Sequence, residues 1–157
     1  MSNTFLKIGD KELSQEELAM LSIAVAMDKK AVRPVMMDLK NLGAFTELFA
    51  IVSASNQRQV YAIAEHIRQT FKQCLGLSPI SVDGLESSSW VLIDYGFLFV
   101  HIFQEPTRDL YQLEQLWSKA RFIDIDEEKC QLLLNEVNKI SNDLNAREID
   151  CSEDIRI

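Results

Sequence analysis

Three carboxylates, Asp38, Asp83 and Asp94, fall at the ends of short apolar runs, where side chains of this type could hold divalent cations. Strand-end aspartates also cap turns, so cation chemistry requires that they converge. Other reactive residues lack their usual company. The serine run Glu86-Ser-Ser-Ser89 has no glycine elbow and no histidine at a useful spacing. With five glycines in the whole chain, no Gly-x-Gly-x-x-Gly occurs for a dinucleotide. Cys74 precedes Leu-Gly at a predicted helix C-terminus, the wrong end for lowering a thiol pKa. Cys74, Cys130 and Cys151 are odd in number and widely separated, and His66 and His101 are the sole histidines. That pattern argues against a zinc site and for a reducing compartment. No cofactor is implied.

Recognition chemistry is better represented, in the stretch Asp83 to Trp117 that holds both tryptophans. WVLID and FLFVHIF read as two strands joined at Tyr95-Gly96, whose glycine permits a positive φ. A two-residue turn there pairs Asp94 with Phe97, Leu92 with Phe99 and Trp90 with His101. One face then carries Val91, Ile93, Leu98, Val100 and Ile102, an aliphatic set suited to lie beneath helices. The other carries Trp90, Leu92, Asp94, Phe97, Phe99, His101 and Phe103, rich in the aromatic side chains that interfaces favour. Two readings stay open for it: a recognition surface, or a second core layer under another helix. QEPTRDLYQLEQLW follows as a helix, with Pro106 in its first turn and Leu110, Leu113, Leu116 and Trp117 at helical spacing.

In DGLESSSWVLIDYG, VHIFQEPTRDLYQLEQLW and the earlier DLKNLGAFTELFAIVSASNQRQVYAIAEHI, the chain resembles the ribosomal silencing factors, also called Iojap-like proteins. The resemblance runs from about Leu18 to Ala120. It implies a nucleotidyltransferase-like fold without catalysis, and binding to large-subunit ribosomal protein fourteen, which blocks joining of the small subunit. Carried over by position, the partner-binding surface comprises Trp90 as first anchor, Leu92, Phe99 and His101 beside it, and Asp94 and Tyr95 at the turn. Glu105 and Arg108 stand on the helix that follows. Pro106 replaces an acidic residue usual in the family, and Phe97 and Phe99 are bulkier than the aliphatics usual there. The implied fold also suggests the alternative, a nucleotide-binding or nucleotidyltransferase-like enzyme. Such enzymes use Gly-Ser at a strand-to-helix turn and Asp-x-Asp on the next strand, to hold two cations about 4 Å apart. Here the turn reads Ser53-Ala-Ser-Asn56, and the single Asp-x-Asp, in Phe122-Ile-Asp-Ile-Asp126, is expected outside the fold core.

The elements that must position these residues are legible from caps and periodicity. Ser14-Gln-Glu-Glu17 is a capping box opening a helix that ends near Lys29-Lys30. Val32 to Leu39 is a strand with Pro34 at an edge or entry position, and Glu47 to Ser53 is a second strand, apolar enough to be buried on both faces. A helix spans Gln57 to Leu75 and stops at Gly76; Ile80 to Val82 is a third strand. The pattern is α/β: a mixed sheet of about five strands with helices mainly on one face. The organisation expected is a domain over 1–120 and an acidic extension over 121–157. That extension carries ten acids against five bases, a helix over 126–144 and a disordered end. Three roles are open for it: contact with a basic partner, a cover over the exposed sheet face, or a solubilising tail.

At 157 residues and 47% hydrophobic content the chain suits one globular domain. A net charge of −8 without clustered Lys or Arg predicts little direct nucleic-acid contact and suits a basic protein partner. No apolar run is long enough to span a membrane, and no secretory leader opens the chain, so the cytoplasm is the default location. The aromatic face also invites self-association, and a homodimer through it would compete with any other partner.

Overall fold

The computed structural model describes residues 6–154, with side chains to residue 146. Helix α1 (Gln15–Asp28) begins at the expected capping box: Glu17 N–H donates to Ser14 Oγ at 3.2 Å, and Ser14 N–H to Glu17 Oε1 at 3.3 Å. Leu18 through Ala26 are all buried, because α1 lies between the sheet and other helices, and such a helix is apolar all round. Helix α2 (Gln57–Leu75) starts where the Asn56 side chain accepts from Gln59 N–H at 2.9 Å and stops at left-handed Gly76.

Six strands form the main sheet: β3 (Val32–Asp38), β4 (Leu48–Ala54), β5 (Ser81–Asp83), β6 (Trp90–Asp94), β7 (Leu98–Gln104) and β8 (Arg121–Ile123). Their order is β5-β6-β7-β4-β3-β8, with β4 and β7 parallel and the other pairs antiparallel. All seven residues of β4 are buried, as its apolar run requires at the centre of a sheet. Pro34 sits at the irregularity between Val32 and Val35, where the ladder makes no demand on its missing N–H. A separate two-stranded ribbon, β1 (Leu6–Ile8) with β2 (Lys11–Leu13), precedes α1.

Alternation along the strands divides the interior in two. Leu48, Ala50, Val52, Val91, Ile93, Val100 and Ile102 face α1, α2 and α5 (Glu127–Asp154), which contributes Leu133 and Val137. Met37, Phe49, Ile51 and Phe103 face the other way, under α3 (Glu105–Tyr111) and the single turn α4 (Leu113–Leu116). The fold is thus a mixed sheet with helices mainly on one face. One expected strand count changes: Phe122-Ile-Asp-Ile-Asp126 does not lie outside the core, since its start is edge strand β8, pairing Phe122 with Met37. Helix α5 outruns its expected end at Leu144, and it packs on α1 and α2 rather than covering the aromatic sheet face. Residues 155–157 of the expected disordered end lie outside the described residues.

The hairpin register also differs from that of a two-residue turn at Tyr95-Gly96. Trp90 pairs with Phe103, Leu92 with His101 and Asp94 with Phe99. Asp94 Oδ1 takes the Gly96 N–H at 2.7 Å and Tyr95 N–H donates to the Leu98 carbonyl at 2.9 Å, so the residues between the last bonded pair are Gly96 and Phe97 rather than Tyr95 and Gly96, and the Phe97 carbonyl is free to accept from Leu48 N–H at 3.0 Å. Because the slip is two residues, every strand side chain keeps its face. Phe97 alone changes sides and packs against the helix-side core.

Candidate protein-docking face

Trp90 leads β6 after a sharp turn at Gly84, whose φ is +90° and where an added Cβ would stand 2.1 Å from the Trp90 carbonyl oxygen. The Acid-Gly pair ahead of the tryptophan is therefore a close backbone approach. The indole is half-buried, stacked on Phe103 at 4.8 Å and tilted against Tyr111 at 4.9 Å between ring centroids. Its Nε1–H donates to His101 Nδ1 at 3.1 Å. An indole nitrogen only donates, so Nδ1 accepts and the imidazole proton sits on Nε2. Nε2 is buried without a polar partner, beside Phe49, whose ring meets the imidazole at 73° and 4.5 Å. Burial pushes the His101 pKa down to about 3.

The other expected site residues divide by accessibility. Leu92 and Phe99 are half-buried on β6 and β7 and form, with Trp90, a strip that α3 and α4 leave partly uncovered. Asp94 is committed to its turn. Tyr95 is buried on the helix side, stacked on Phe71 at 4.9 Å, with its hydroxyl unpartnered and its pKa raised by burial. His101 is likewise buried. Glu105, half-exposed, pairs with Arg33 at 3.4 Å, and Arg33 also reaches Asp109 at 3.1 Å. Arg108 is buried: its guanidinium meets Glu114 Oε1 at 2.6 and 2.8 Å, the Arg33 carbonyl at 2.6 Å and Ser53 Oγ at 2.8 Å. Burial lowers its pKa, with Glu114 acting against that. Trp90, Leu92 and Phe99 therefore reach the surface together; Tyr95, His101 and Arg108 are held inside.

The sequence spacing put Leu110, Leu113, Leu116 and Trp117 on one continuous helix. Instead, Gln112 adopts φ +48°, breaks the helix between α3 and α4, and leaves Leu113 inward. Leu110 is 77% and Leu116 74% exposed, and Tyr111 is exposed beside them. No residue type signals that break, since glutamine is an ordinary helix former. The stretch that carries this apolar surface is acidic in sequence, although Arg33 pairs with Glu105 and Asp109 and Arg108 with Glu114. From Asp83 to Lys119 there are six acids and two bases, and one of the bases is buried Arg108.

Among the described residues, no three His, Cys, Asp or Glu side chains are grouped to hold a metal ion. Asp38 is occupied by Lys40 N–H at 2.9 Å and Arg121 at 3.1 Å; although burial works to raise its pKa, these contacts hold it below the usual range. No helix among the described residues is long and apolar enough to cross a membrane.

Comparison with known proteins agrees with this architecture. The family model described as "Ribosomal silencing factor during starvation" matches residues 12–150, running well into α5. A curated relative, ribosomal silencing factor RsfS of Halalkalibacterium halodurans, is 32% identical over 114 residues, which are 73% of this chain and 97% of that protein. A crystal structure of a Chromobacterium violaceum protein superposes with TM-score 0.64 at 28% identity, covering 68% of this chain and 88% of that one. A Bacillus halodurans crystal structure gives 0.62 at 31% identity, covering 70% and 99%. An α/β sheet with one face under helices and the other half-open thus goes with a sequence match over most of the chain, and the protein belongs to the ribosomal silencing factor family.

Proposed function

We propose that this protein represses translation without catalysis, by binding large-subunit ribosomal protein fourteen on the intersubunit face and so blocking the small subunit. The observation that carries the reading is the half-buried strip Trp90–Leu92–Phe99, with exposed Leu110, Tyr111 and Leu116 on the following helices, in a stretch of the chain where acids outnumber bases. An apolar centre with a charged rim is the usual anatomy of a protein interface, and an excess of acids suits a basic ribosomal protein. Arg108 supports the non-catalytic part. In open α/β sheets, ligands enter beyond the carboxyl ends of the strands, and here the guanidinium takes the Ser53 hydroxyl at the end of β4.

Sedimentation of the purified chain with isolated large subunits tests the reading. Trp90 is an imperfect probe because it also packs on Phe103 and Tyr111. The exposed leucines are cleaner, since surface truncations usually shift stability by less than about 0.5 kcal/mol. The double variant Leu110→Ala, Leu116→Ala is expected to lose about 2 kcal/mol or more of binding energy with an unchanged melting temperature. Wild-type affinity in that variant would remove the assigned face, and saturable binding of a nucleoside triphosphate with magnesium would reopen the enzymatic alternative.

A further inference from the structure

Phe45 is 98% exposed, more than any other large apolar side chain among the described residues. A single exposed hydrophobe is ordinary on a protein surface. This one stands on a loop that is held from several sides. Leu39 N–H donates to the Glu47 carbonyl at 2.8 Å, Leu42 N–H to the Leu39 carbonyl at 3.1 Å, and Thr46 Oγ to the Gly96 carbonyl at 2.9 Å. Leu42 and Ala44 pack against the buried cluster of Met37, Phe49 and Phe103 on which Trp90 and Phe99 also rest, so the loop and the docking face share one support. Phe45 also borders a groove of about 950 Å³ whose other walls include Leu6, Leu77 and Phe97 of the helix-side core, so it stands at the end of the sheet where the two sides meet.

Position links Phe45 to the strip. Tyr111 touches Trp90, at the start of β6, while Thr46 bonds the hairpin turn just past Asp94, at its end. Four residues of strand separate the two, about 13 Å. A standard interface takes about 800 Å² from each partner, an area about 30 Å across, so a protein seated on Leu92 and Phe99 spans both ends. We propose that Phe45 is a second anchor of the docking face, entering an apolar recess on the same basic ribosomal protein while the neighbouring Glu47 meets that partner's cations. The proposal rests on the reading of function given above. It adds a contact site some distance from the tryptophan.

The test uses the full chain and purified large subunits, comparing wild type, Phe45→Ala, Phe45→Leu and Leu110→Ala by sedimentation, with melting temperatures as the folding control. Phe45→Ala is expected to weaken binding about tenfold or more at an unchanged melting temperature, and Phe45→Leu to recover most of it. If wild type binds and Leu110→Ala weakens it, but Phe45→Ala stays within about twofold, the second anchor is wrong while the docking face stands. If wild type does not bind large subunits, the functional reading fails and takes the anchor with it. Should Phe45→Ala alter only the chain's own mass in sedimentation equilibrium, the residue is a self-association contact and the proposal falls.

Discussion

At the scale of single residues, the pair Trp90 and His101 joins surface to core. The indole offers one face to solvent and spends its only N–H on an imidazole that is wholly enclosed. A charged His101 would lose that acceptor and place an unpaired cation among Phe49, Phe99 and Phe103. The folded pKa of about 3 lies below the unfolded value near 6.5. As pH falls from about 6.5 towards 3, the unfolded chain gains this proton and the folded chain does not, so stability declines by up to about 1.4 kcal/mol per pH unit. Above the unfolded value the group contributes no pH dependence. Proton NMR should therefore show the His101 imidazole failing to titrate between pH 8 and about 4.5. A midpoint near 6.5 would mean that the ring is wet and the indole bond absent. The sequence put Trp90 and His101 on one face of the hairpin but did not reveal that the two are bonded. The turn expected at Tyr95-Gly96 set them directly opposite, whereas in the real register they are diagonal. Side chains on diagonal strand positions remain within reach when both are long.

Among the elements, α3 and α4 decide what the proposed docking face exposes, and both are too short to be stable alone. They are fastened through Arg108, which ties α3 to β4 at Ser53 and to the β3 backbone at Arg33, and through Glu114, which returns the same guanidinium to α4. Arg108→Ala leaves Glu114 partly buried and uncompensated, and breaking a buried pair in this way costs about 3–5 kcal/mol. Denaturant unfolding should show a loss of that order, with weaker subunit binding because Leu110, Tyr111 and Leu116 are no longer held together. An effect below about 1 kcal/mol would mean the guanidinium is a solvated ornament. Helices α1 and α2 were legible because each has a side-chain cap and enough turns for its pattern to repeat. Strands β3 and β4 were legible because β-branched and apolar runs of seven residues sit between turn signals. What escaped was short or set by partners. The three-residue strands β1, β2 and β8 carry less than two full periods of alternation, and β8 exists because Met36, Met37 and Asp38 offer it a ladder. The break at Gln112 depends on tying α3 and α4 to one buried arginine, which periodicity cannot register.

On the scale of the whole molecule, the proposed docking face and the main helix-packed core lie on opposite sides of the sheet. Its helix side holds α1, α2 and α5, and there Leu133 and Val137 are buried against a core that includes Leu21 and Ile67. Its other side has the larger share of half-exposed aromatics and the two leucines of α3 and α4. Truncations on the two sides should therefore separate in two measurements. Leu133→Ala removes a fully buried side chain and is expected to cost about 2–5 kcal/mol, which for a chain of this size lowers the melting temperature by about 2–4 °C per kcal/mol. Because α5 lies across the sheet from Trp90, the folded fraction of that variant should bind large subunits with wild-type affinity. Leu110→Ala should do the reverse, keeping the melting temperature and losing affinity. Measuring both quantities for both variants settles whether the acidic C-terminal helix acts in recognition or in folding. If Leu133→Ala loses affinity at a temperature where circular dichroism shows it fully folded, then α5 takes part in docking and the two-sided division is wrong. If its affinity holds, the helix that carries much of the chain's negative charge serves the core, and the attraction to a basic partner must come from the acids around Trp90.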